Sequence, residues 1–99
     1  MLELTVLAVP DCPNEPVLLE RLAEVLADYP GATVTRTVIT DEAAAARHGM
    51  HGSPTLLVNG TDPFAMEDAR AEFSCRLYHG QDGGAPSVTA LRKALAARA

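Results

Sequence analysis

The sequence predicts one α/β domain in which strands and helices follow the order β-α-β-α-β-β-α. Three observations lead there. The chain has 99 residues, enough for one hydrophobic core and too few for two, so 1–99 reads as a single domain. Apolar residues recur at two periods, every second position in short runs and every third or fourth in longer ones, as strands and amphipathic helices require. Clusters of Pro, Gly and Asn separate the runs. Hydrophobic residues are 47% of the chain and aromatics 4%, so the core is built from Leu, Val and Ala.

From Leu2 to Val9 the side chains Leu2, Leu4, Val6 and Ala8 share one face, with Leu7 and Val9 on the other. A strand apolar on both faces belongs in the middle of a covered sheet. Pro10 to Asn14 break the extended pattern, and a helix follows, with Asn14 or Cys12 near its N-cap and Pro16 tolerated in its first turn. Leu18, Leu22, Val25 and Tyr29 make its buried stripe, widened by Leu19 and Leu26, while Glu20, Arg21 and Glu24 face water. Pro30-Gly31 is expected to stop it.

Thr33 to Thr40 alternates Thr and Val around Arg36 and suits a second strand at a sheet edge. Asp41 to His48 is alanine-rich and reads as a short helix, capped by Thr40 or Asp41 and ended at Gly49. His48 then serves as a C-terminal capping group. Thr55 to Val58 forms the third strand, and Asn59-Gly60 is a strong hairpin turn. Ser74 to His79 is expected as the fourth strand. Ser87 caps a last helix with Val88, Leu91 and Leu95 on one face. The segment Thr61 to Phe73 is too long for a plain hairpin loop; Met66 to Glu72 has helical propensity, and Phe64 reads as a packing pin.

The formal charge of -5 and the absence of a Lys/Arg cluster argue against a nucleic-acid partner, whose affinity rests on basic side chains displacing counterions. No stretch is long and apolar enough for a bilayer, so no membrane partner is expected. The opening MLELTVLAVP carries a glutamate and no basic leader, and is expected to be a strand rather than a secretory signal. Two cysteines do not make a secreted disulfide scaffold. A cytoplasmic location follows as an expectation.

A cysteine just after the first strand, and the stretch Arg47-His48-Gly49-Met50-His51-Gly52-Ser53-Pro54-Thr55-Leu56-Leu57-Val58-Asn59-Gly60, together resemble the thioredoxin-like superfamily. The resemblance implies a four-stranded mixed sheet with three main helices and an insertion between strands three and four. It makes Pro54 a cis-proline before the third strand and Cys12 the attacking thiol. The first and third strands run antiparallel in that fold, so Cys12 meets Pro54, with Pro13, His51, Ser53 and Thr55 along a substrate groove. The match departs at one place: three residues after Cys12, where a resolving cysteine would stand, the sequence has Glu15. More narrowly, Asn59 to Phe64, Ser74-Cys75-Arg76-Leu77-Tyr78 and Gly84-Ala85-Pro86-Ser87 look like small actinobacterial thioredoxin-like proteins, often labelled relatives of alkylmercury lyase.

A helix N-terminus favours a thiolate. Asp11 and Glu15 oppose it by like charge, and His51 opposes them if it faces the groove. The plain alternative for Cys12 is a small buried hydrophobe. Cys75 is expected as a core residue at the sheet end away from Pro54, about 10 Å from Cys12 by strand rise, too far for a disulfide. Gly83-Gly84 resembles the glycine pair that admits glutathione in glutaredoxins, or is a flexible loop. Cys12, His51 and Cys75 lack metal-ligand spacing, so neither a structural zinc nor another cofactor is expected.

Three functions stand. The first is a monothiol thioredoxin/glutaredoxin-like oxidoreductase acting through Cys12 on a low-molecular-weight thiol or protein disulfide. The second is a non-catalytic binding module presenting the Pro54 groove or an edge strand. The third is capture of thiophilic metal or organomercury by Cys12. The substrate, the role of Cys75 and the oligomeric state stay open.

Overall fold

A computed structural model of the chain describes residues 2–64, the backbone of 72–75, and residues 84–98. Its elements are β1 (Glu3–Ala8), α1 (Glu15–Leu26), β2 (Thr33–Val38), α2 (Glu42–His48), β3 (His51–Ser53), β4 (Thr55–Val58), β5 (Glu72–Cys75) and α3 (Val88–Ala96). β1 lies in the middle of a three-stranded mixed sheet of order β2-β1-β4. It pairs parallel with β2 from Glu3↔Thr33 to Ala8↔Val38, and antiparallel with β4 from Leu4↔Val58 to Leu7↔Thr55.

The alternation along β1 divides the core in two. Leu2, Leu4 and Val6 pack with Leu18, Leu22 and Val25 of α1, Leu56 and Val58 of β4, and Leu91 and Leu95 of α3. Leu7 points the other way, against Ile39, Ala44, Ala45 and Met50. Helices therefore cover both faces, α1 and α3 on one and α2 on the other. A one-residue slip of β1 would exchange the two sets of side chains. Each Leu buried this way contributes about 2 kcal/mol.

Local chemistry fixes the element ends. The Asp41 carboxylate accepts the N–H of Ala44 at 2.7 Å and caps α2, which stops at Gly49 with φ 72°. Ser87 Oγ accepts the N–H of Ala90 at 3.1 Å and caps α3. Asn59 and Gly60 both have positive φ, 51° and 85°, as a type I′ hairpin turn demands. Val58 and Thr61 exchange hydrogen bonds of 2.7 and 3.1 Å across it. The turn is also stitched to β1: Asn59 donates its N–H to Glu3 O at 2.8 Å, and Glu3 N–H donates to Asn59 Oδ1 at 2.9 Å.

Four expectations need correction. α1 ends at Leu26 rather than at Pro30, because Asp28 and Tyr29 donate to carbonyls three residues back, on Val25 and Leu26, so the helix tightens into turns before the proline. Arg21 does not simply face water: its guanidinium donates to the carbonyls of Ala85 and Pro86 at 3.1 and 3.2 Å, joining α1 to the approach to α3. A short strand, β3, precedes Pro54 where none was expected.

The last strand differs most. It spans Glu72–Cys75 and pairs parallel with β3, His51↔Glu72 and Ser53↔Cys75, instead of antiparallel with Thr55–Val58. Thr61 already occupies the side of Val58, and the stretch from Ser53 to Glu72 exceeds the dozen or so residues a parallel crossover needs. The sheet is thus three-stranded, with β3 and β5 as a separate pair. Residues 76–79 of the expected strand and 65–71 of the expected helical turn lie outside the described residues, as does Gly83.

Candidate functional site

β1 delivers the chain into the turn Val9-Pro10-Asp11-Cys12. Cys12 N–H donates to Val9 O at 3.3 Å, and Asp11 has φ 56°. Proline second and a positive-φ residue third is the pattern of a type II turn, and aspartate tolerates that conformation better than most side chains. Cys12 O then accepts the N–H of Glu15 at 3.3 Å, so the cysteine stands one short turn before α1. It is a free thiol, and it is buried, with 5% exposure.

This turn is fastened to the segment before β4. Val9 N–H donates to Ser53 Oγ at 3.1 Å. The Ser53–Pro54 peptide bond is cis, and Ser53, Pro54 and Thr55 are all buried. Thr55 Oγ1 donates to Gly52 O at 2.6 Å and accepts His51 N–H at 3.0 Å. The hydroxyls of Ser53 and Thr55 thus satisfy buried backbone groups, which fixes the shape of the segment. They hold the Pro54 turn in place. Pro13 is exposed beside the thiol.

Glu15 is the second anchor of the site. It is buried at the first turn of α1, and its carboxylate accepts Arg36 Nη2 at 2.7 Å and Nε at 3.2 Å. That geometry is the two-pronged fit of guanidinium to carboxylate. The hydrogen bond to Glu15, and then its charge, raise the pKa of Arg36 above its ordinary value. The anion expected to oppose a Cys12 thiolate therefore faces a cation from β2.

His51 has a partner that sequence reasoning missed. Its Nδ1 lies 2.9 Å from Asp62 Oδ2, and the Asp62 side chain is 2% exposed against 24% for His51. Asp62 Oδ1 also accepts Phe64 N–H at 2.8 Å. This carboxylate orients the imidazole, and in the neutral ring it puts the proton on Nδ1 and leaves Nε2 as the acceptor. The sequence held a signal for part of it, since aspartate two residues before an N–H is an Asx turn.

Gly84 packs on the N-cap of α1. A Cβ at that position would fall within the Asn14 carboxamide, whose side chain makes no capping bond. Gly84 thus approaches Asn14, two residues after Cys12. Cys75 is opposite Ser53 in the β3–β5 register, which places its backbone at the Pro54 end of the fold and corrects the expectation that it lies at the far end. The parallel direction of β5 is the cause. His48 is exposed at the end of α2, whose last carbonyls are met instead by Gly49 N–H. Among the described residues no group of three or more His, Cys, Asp or Glu is arranged to hold a metal ion, and no helix is long and apolar enough to cross a membrane.

No family model matches the chain, and no curated protein sequence matches it significantly.

Proposed function

We propose that the chain is a thioredoxin-like domain acting as a monothiol thiol-disulfide oxidoreductase through Cys12. The observation that carries the reading is the fastening of the Cys12 turn to the Ser53–Pro54 segment through Val9 N–H and Ser53 Oγ at 3.1 Å. It supports the reading by tying the Val9–Cys12 turn, which carries a free thiol, to the segment that the resemblance assigns to substrate binding. The thiolate is the attacking species. Glu15 has no sulfur to resolve an adduct, and in the monothiol reading the second thiol comes from solution.

The exchange has two balanced steps. Cys12 thiolate attacks one sulfur of a disulfide, forming a mixed disulfide and releasing the other half as a thiolate. A low-molecular-weight thiol, as its thiolate, then attacks the mixed disulfide, forms a new disulfide with the released half and returns Cys12 as thiolate. A reducing, cytoplasmic setting supplies that thiol.

The test is oxidation of the full chain by a small disulfide, followed by peptide mass spectrometry. A single adduct on Cys12, formed in Cys75→Ser and absent in Cys12→Ser, is expected. No adduct on Cys12 in a folded chain would sink the proposal, and turnover that stops in Cys75→Ser would make Cys75 the resolving group. The 5% exposure of Cys12 favours a second reading, a binding module that kept the fold without the chemistry. Under it Cys12→Ser binds partner as well as the natural chain does.

A further inference from the structure

β2 is the outer strand of the three-stranded sheet. Thr33 donates its N–H to Leu2 O, and Ile39 donates to Ala8 O, so the odd-numbered residues turn their backbone groups toward β1. Direction alternates along a strand, which sends the N–H and C=O of Val34, Arg36 and Val38 outward. Among the described residues no strand meets them. Val34 is 41% exposed and Val38 56%, and these are the exposed large hydrophobics among the described residues. The stretch Val34-Thr35-Arg36-Thr37-Val38 reads identically in both directions about Arg36.

We propose that β2 pairs antiparallel with β2 of a second copy of this chain, about a two-fold axis through Arg36. In that register Val34 of each copy lies opposite Val38 of the other, Thr35 opposite Thr37, and Arg36 opposite Arg36. The residues whose backbone groups point outward are the ones that meet, giving about six hydrogen bonds. A slip of two residues sets Val34 or Val38 against Arg36 and loses a bonded pair. A slip of one sets inward-pointing backbone against outward-pointing backbone.

Charge at the axis is complementary. Two guanidiniums meet there, each already countered by its own Glu15 at 2.7 and 3.2 Å. Arg36 Nη1 makes no bond among the described residues, so its donors are available to the other copy's Glu15, and the charges alternate across the axis. Solitary edge strands are commonly blunted by Lys, Pro or a bulge. β2 carries none of these: its sequence is TVTRTV and its pairing with β1 is unbroken over all six residues. An isologous contact of this kind closes on itself as a dimer.

Sedimentation velocity on the full chain over a wide concentration range is the test, with backbone amide exchange on the same samples. A concentration-dependent dimer is expected, lost in Val34→Lys/Val38→Lys while far-UV circular dichroism is unchanged. In the natural chain the amides of Val34, Arg36 and Val38 should be protected in the dimer and lose protection on dilution, while Thr35 and Thr37 stay protected. A monomer at every concentration overturns the proposal. So does a dimer that survives the double substitution, or one whose Val34, Arg36 and Val38 amides exchange freely. Should the lysine variant not fold, the exchange pattern of the natural chain decides alone.

Discussion

Glu15 stands three residues after Cys12 and accepts two hydrogen bonds from Arg36, at 2.7 and 3.2 Å. The position that would carry a resolving cysteine thus does mechanical work, tying the first turn of α1 to the edge strand. Removing Arg36 leaves a buried carboxylate without its counter-charge. Arg36→Met is expected to lower the urea midpoint of the dilute chain. The pKa of Arg36 is raised in the folded chain. Its contribution is therefore whole below the unfolded, strongly alkaline value and is lost only as pH climbs through the higher folded one. The deficit of Arg36→Met should accordingly show no arginine titration between about pH 6 and about pH 9. A deficit that vanishes within that window contradicts the pairing.

The same position offers a gain of chemistry. Glu15 N–H donates to Cys12 O at 3.3 Å, closing a four-residue turn that brings the two Cα atoms within about 7 Å, inside the range a disulfide spans. Glu15→Cys is expected to form a disulfide with Cys12 under mild oxidation, read by mass spectrometry as the loss of two hydrogens. Losing the Arg36 tether, the reduced variant should also unfold at lower urea than the natural chain. Two thiols that persist under oxidants that modify Cys12 in the natural chain would place Cys12 otherwise than described.

Asp62 accepts from both His51 Nδ1 and Phe64 N–H while nearly fully buried. Truncation removes an acceptor from two donors, and a buried hydrogen bond lost in this way costs about 1 to 3 kcal/mol. Asp62→Ala is expected to lose that much in urea unfolding. Asp62→Asn keeps an acceptor for Phe64 N–H and should lose about half as much. Equal losses in the two variants would show that the carboxylate charge, rather than its hydrogen bonds, holds the segment.

Much of this was written in local sequence. The two faces of β1, the caps Asp41 and Ser87, the Asn59-Gly60 turn and the central place of the first strand all follow from periodicity and turn chemistry within a few residues. The Cys12 turn and the Pro54 segment were likewise singled out. What escaped is set by distant partners. Nothing beside Glu15 announces Arg36, twenty-one residues away; in local sequence Glu15 reads as a like charge near the thiol and as the residue in the place of a resolving cysteine. The pairing of β5 with β3 escaped because Thr55–Val58 is the stronger strand signal, and a hairpin is the shortest path between consecutive strands. The bonds of the Ser53 and Thr55 hydroxyls to backbone groups escaped because their partners, Val9 for Ser53 and Gly52 and His51 for Thr55, are set by the folded turn rather than by any local pattern.

Gly84 and Asn14 supply a test of the join between the α3 approach and the Cys12 end of α1. A Cβ on Gly84 would overlap the Asn14 carboxamide, but that side chain makes no capping bond. Gly84→Ala should therefore cost no more than about 1 kcal/mol, the low end of overpacking, because the carboxamide can rotate aside. Gly84→Val should cost more, its branches reaching past the space that rotation opens. Placing Gly84→Ala in an Asn14→Ala background removes the overlap, so its cost should fall toward zero, and the difference measures the contact as a double-mutant coupling. Full additivity of the two alanine substitutions would mean that Gly84 does not sit on Asn14 in solution.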